Sequence, residues 1–110
     1  MVTFHTGGAH GRNRRDVGVT DNTIIVCDRT YTVAHEPMAG ALGCCDNQGQ
    51  SITIDSDSHP ETQASVLIHE VFEAINASMN LNLRHKTISA LETAWYAVLT
   101  QNPSWWGEQK

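Results

Sequence analysis

The sequence predicts an α+β domain in which a small sheet is followed by two packed helices. Short β-branched and alternating runs are confined to residues 23–55, whereas helical apolar spacing is confined to residues 60–100. The chain has 110 residues, 40% of them apolar, which is material for one modest core and no second domain. Strands first and helices afterwards is the order of an α+β fold, with an antiparallel or mixed sheet of about three to four strands.

Residues 1–21 carry three glycines before Arg12, then the basic run Arg12-Asn13-Arg14-Arg15, and no apolar periodicity. They read as a flexible arm ahead of a single domain over residues 22–110. Thr23-Ile24-Ile25-Val26-Cys27 and Tyr31-Thr32-Val33 flank Asp28-Arg29-Thr30, the spacing of a hairpin. A loop with Pro37, Gly40 and Gly43 follows. Ser51-Ile52-Thr53-Ile54-Asp55 alternates with period two and is expected to pair with the preceding strand across the Asn47–Gly49 turn. Cys44 and Cys45, at that strand's end, read as buried thiols. Ser58 is the expected N-cap of a helix that has Pro60 and Glu61 in its first turn and runs to about Met79. Asn80-Leu81-Asn82 interrupts it. A second helix is expected from about Arg84 to Thr100, with Ile88, Leu91, Trp95, Val98 and Leu99 as its apolar stripe and Pro103 beyond its end.

The net charge is −5, and no Lys/Arg cluster lies outside the short run in the arm. That balance argues against a nucleic-acid partner and against a DNA-contacting regulator. No window approaches the length of a membrane span, and residues 1–8 lack the basic-then-apolar pattern of a signal peptide. Three cysteines, two of them adjacent, allow at most one bridge, from Cys27, so a reducing cytoplasm is the expected location.

The segment that carries chemistry is Leu67-Ile68-His69-Glu70-Val71-Phe72-Glu73, inside the first helix. His69 and Glu73 are four residues apart, which sets them about 40° apart on one face, as two metal ligands from adjacent turns require. Glu70 stands about 100° further round and can reach a water beside the metal. If the helices pack antiparallel, His85 returns to the level of Glu73, and His69, Glu73 and His85 become two imidazoles and a carboxylate, a donor set of catalytic zinc sites. Glu92, two turns beyond His85, is either a reserve ligand or a group that orients an imidazole. Tyr31, Tyr96 and His59 are candidate donors to a transition state. The dipeptide alone carries nothing, because a second one stands at His35-Glu36. The same helical wheel also fits an amphipathic helix that turns His69, Glu70 and Glu73 to solvent opposite an arc of small or apolar side chains, Leu67, Ile68, Val71, Ala74, Ile75, Ser78 and Met79.

Ser65 through Ile75 resembles the active-site helix of the zincin metallopeptidases, whose motif is His-Glu-x-x-His with a more distant third ligand. The likeness is closer to the small phage- and prophage-encoded zincins of the ImmA/IrrE type, and covers roughly residues 23–100. Glu73 stands where the family has its second His, and His85 where those relatives often have an acidic ligand, so the donor inventory is kept at exchanged positions. The resemblance implies a minimal zincin-like domain with one zinc ion, a peptide or protein substrate, and the host cytoplasm as its location. It also implies a mechanism: zinc acidifies water and polarises the scissile carbonyl, while Glu70 takes the proton and passes it to the leaving amine. The alternative is a catalytically inactive zincin-fold binding or regulatory protein of phage origin.

Overall fold

A computed structural model describes residues 22–106. The expected arm at 1–21, with His5 and His10, lies outside the described residues. The architecture is α+β. Strands β1 (Thr23–Val26), β2 (Arg29–Glu36), β3 (Gly43–Asp46) and β4 (Ser51–Asp55) precede helices α1 (Pro60–Met79) and α2 (His85–Gln101) and a short 3-10 turn at Pro103–Trp105.

The first hairpin closes through Cys27 and Asp28, both at positive φ (52° and 64°), with Val26 opposite Arg29. Two left-handed residues in a two-residue loop follow the twist of the flanking strands. The second closes from Asp46 to Ser51, and Asp46 Oδ1 accepts from the backbone amides of Gln48 and Gly49 at 3.1 Å each. The strand order is β1-β2-β4-β3, so β4 inserts between its hairpin partner β3 and β2, alongside which it runs parallel. The sheet is therefore mixed, and β3 forms an edge.

Period two decides which side chains meet α1. Val26, Tyr31, Val33, Ile52 and Ile54 point inward and form the core with Val66, Leu67 and Ala74 of α1, and Ile24, Cys45, Val71 and Ile75 pack at its margin. Asp55 ties the end of β4 to its surroundings. Its Oδ1 accepts from the amides of Met38 and Asp57, and its carbonyl accepts from the Ser58 hydroxyl at 2.8 Å. Ser58 is thus drawn into this turn. The α1 N-cap falls instead to His59, whose Nδ1 accepts from the Glu61 amide at 3.2 Å.

Helix α2 packs along α1, with Ile88 and Leu99 buried. The expected stripe is narrower than a sheet-facing helix would need: Leu91 is exposed, and Trp95 meets the edge of Trp106 with ring centroids 5.4 Å apart. Trp105 is exposed. The cysteines are free. Cys44 points outward, contrary to the expectation of two buried thiols, because alternation along β3 sends only Cys45 inward. Among the described residues no helix is long and apolar enough to cross a membrane.

The close approach of β3 to α1 rests on Gly43. A Cβ there would stand 2.5 Å from Val66 Cγ1 and 3.2 Å from Glu70 Oε2. Gly43→Ala is therefore expected to lower stability in urea unfolding by about 1–3 kcal/mol. Combined with Val66→Ala it should cost less than the sum of the two single changes, since the second substitution removes the clashing methyl.

Candidate metal centre

Helix α1 ends in a left-handed Asn80 (φ 54°), whose amide bonds to Ala77 O while the Leu81 amide bonds to Asn76 O. This closure turns the chain back. The Asn76 side chain then grips the connection from both sides: Oδ1 accepts from the Leu83 amide at 2.8 Å, and Nδ2 donates to the Leu83 carbonyl at 3.4 Å. Two residues later α2 begins with His85, with Arg84 in extended conformation at the N-cap position and no side-chain cap. The return is antiparallel, and it sets the register of α2 on α1.

That register lines up a polar seam. Ser65, His69 and Glu73 are spaced by four on α1, and His85 and Glu92 by seven on α2, so each set keeps to one helical face. His69 Nε2 lies 3.3 Å from Glu73 Oε2, and the same oxygen lies 3.5 Å from His85 Nδ1. The two imidazoles lie with centroids 4.9 Å apart and their planes tilted by 58°. At the other edge of its ring, His69 Nδ1 is 2.9 Å from Glu92 Oε1, and the second oxygen of Glu92 accepts from the Ser65 hydroxyl.

The three expected ligands are brought together: one donor atom each from His69, Glu73 and His85 lie within 4.8 Å of one another. Donors about 2.0–2.1 Å from a tetrahedral ion are separated by roughly 3.3–3.5 Å. The two contacts to Glu73 already have that length, and the three residues together could hold a metal ion. The donor set suits zinc, and two imidazoles with one carboxylate also suit iron(II). The His85 side chain is 75% exposed, against 13% for His69, so the cluster opens to solvent on the α2 side.

Glu70 does not share the exposed face that the helical wheel allowed for it. Its residual exposure is 6%, and its carboxylate lies against β3 at Gly43. Burial pushes its pKa up to about 7; His69 and His85 pull it back down, while Glu73 and Glu92 reinforce the rise. Burial also raises the Cys45 thiol to about 11, with Glu70 and Glu73 adding to the effect. Cys45 is then a neutral thiol at the site's inner wall, bonded to Asn47 Oδ1 at 3.4 Å.

The three candidate donors to a transition state are placed otherwise. Tyr31 is fully buried, with its hydroxyl donating to Asn47 Oδ1 at 3.0 Å and accepting from Arg29. His59 caps α1, and Tyr96 lies just over three turns beyond His85 on α2. Sequence reasoning did not single out Ser65 or Asn76. The only trace of either is a polar residue with weak helix preference inside a helix, which is a common occurrence. No family model, curated protein or solved structure matches the chain.

The raised Glu70 pKa has a stability consequence. The folded protein holds this proton more tightly than the unfolded chain, so the associated stability is present below pH 4.5 and is lost as the pH rises through about 7. In EDTA-treated protein, Glu70→Gln is expected to be the more stable form above neutrality, by up to roughly 3 kcal/mol. The advantage should vanish as the pH falls towards 4.5; urea titrations across that range measure it.

Proposed function

We propose that the protein is a zinc-dependent metallopeptidase of the small phage-type zincin class. The observation that carries this reading is the pairing of a solvent-open His69, Glu73, His85 cluster with a buried carboxyl, Glu70, on the helix that carries His69 and Glu73. What zinc supplies when held by these three residues is Lewis acidity toward the oxygens of the reacting groups. The rest falls to the chain. Glu70, with a pKa near neutrality, accepts a proton from the attacking water and delivers it to the departing amine as the peptide bond breaks. Its burial against β3 shields that proton from bulk solvent.

The sheet edge supports a peptide substrate. Strand β3 is last in the sheet order, and its outer edge has no strand partner among the described residues. An extended peptide can hydrogen-bond along such an edge. Gly43 places that strand within van der Waals reach of Glu70, so the peptide backbone would run past the proton acceptor.

Elemental mass spectrometry of purified protein tests the metal, and hydrolysis of a fluorogenic peptide library tests the reaction. About one zinc per chain is expected in the wild type and none in His69→Ala. Glu70→Gln is expected to keep its zinc and to lose hydrolysis by a factor of about 10²–10⁴. Iron in place of zinc would change the metal assignment. A zinc-loaded wild type that cleaves nothing in the library would overturn the peptidase reading in favour of a metal-bearing binding protein.

A further inference from the structure

We infer that Ser65 and Glu92 are a positioning pair that fixes the tautomer of His69, with the proton on Nδ1 and the Nε2 lone pair turned towards Glu73 and His85. The inference rests on the metal-site reading above and extends it to two residues outside the ligand set.

A neutral imidazole carries one proton, and His69 has a carboxylate oxygen near each nitrogen. The two oxygens are unequal. Glu92 Oε1 is 2.9 Å from Nδ1, a hydrogen-bond distance, whereas Glu73 Oε2 is 3.3 Å from Nε2 and is shared with His85 Nδ1 at 3.5 Å. Glu92 is also held in place. Its second oxygen accepts from the Ser65 hydroxyl, so donors from two successive turns of α1 grip the two ends of one carboxylate. The side chains of His69 and Glu92 are 13% and 21% exposed, so little water competes for these bonds. The Nδ1 and Nε2 atoms point out of opposite edges of the ring. Glu92 therefore braces the side of His69 that faces away from Glu73 and His85, with both oxygens engaged on α1. It acts through His69 rather than on a metal. Helix α2 thus contributes twice, with His85 to the cluster and Glu92 to its alignment.

The test uses the full chain with Ser65→Ala, Ser65→Thr, Glu92→Leu and the Ala/Leu double variant. Imidazole nitrogen NMR on EDTA-treated protein reads the tautomer directly, with the pH raised until the ring signals stop moving. The wild type is expected to show Nδ1 protonated, and Glu92→Leu to shift the population towards the Nε2-protonated form. Zinc affinity, measured by chelator competition, is expected to fall about 10- to 100-fold in Glu92→Leu. It should fall less in Ser65→Ala, recover in Ser65→Thr, and show no further loss in the double variant. Alanine is the best helix former, and circular dichroism verifies the fold of each variant. A wild-type His69 protonated on Nε2, or a Glu92→Leu protein that binds zinc as the wild type does, overturns the inference. So does a cobalt spectrum that changes coordination in Glu92→Leu while Ser65→Ala is silent, which would make Glu92 a ligand. A wild type with the Nδ1-protonated ring and no zinc uptake would remove the metal reading and leave the positioning pair standing.

Discussion

The register between two antiparallel helices governs which candidate metal ligands meet in this molecule. A slip of one residue along α2 would turn His85 about 100° away from Glu73 and Glu92 by the same angle from His69. The seam runs from Ser65 through Glu92, His69 and Glu73 to His85, and each member contacts the next. The register itself is set by few groups: the left-handed Asn80 that ends α1, the Asn76 side chain on both backbone groups of Leu83, and the burial of Ile88 and Leu99. Polar groups determine where α2 begins, and apolar burial holds it against α1.

The second constraint is electrostatic. Glu70, Glu73 and Glu92 stand near one another with only two imidazoles among them, and Glu70 is almost wholly buried. Burial raises the proton affinity of Glu70, and the neighbouring carboxylates of Glu73 and Glu92 add to that rise. A divalent cation among His69, Glu73 and His85 would offset the same crowding, because it places positive charge where negative charge converges. Cys45 belongs to this balance as a neutral wall: its thiol stays protonated beside the carboxylates, which keeps a further negative charge out of the site.

Helix α1 is covered on two sides, which explains how one helix serves both core and chemistry. Val66, Leu67 and Ala74 meet the sheet, while His69 and Ser65 meet α2. Glu70 falls on the sheet side beside Gly43, the one position in β3 where a missing side chain lets a carboxylate fit against the strand. A fully amphipathic helix on the surface of a sheet would have left this polar face in water. The second helix is what converts a polar face into a candidate metal site.

Local periodicity made much of this legible. The β-branched run at 23–26, the period-two run at 51–55, the turn at 46–50 and the helical spacing after Pro60 are short-range patterns, and they determined the α+β class and the helix bounds to within a residue, whereas β2 runs from Arg29 to Glu36 and outreaches the expected Tyr31–Val33 at both ends. The spacing of His69 and Glu73 is a property of any helix, so their shared face was readable too. Tertiary structure alone decided the rest. Pairing β4 parallel to β2 is a long-range choice, and it leaves β3 at the edge beside α1. The burial of Glu70 depends on that strand, and the roles of Ser65, Asn76 and Glu92 depend on what the opposite helix presents. Sequence spacing determines which residues share a face. Only packing determines what that face meets, and with it the solvation, partner and proton affinity on which the chemistry turns.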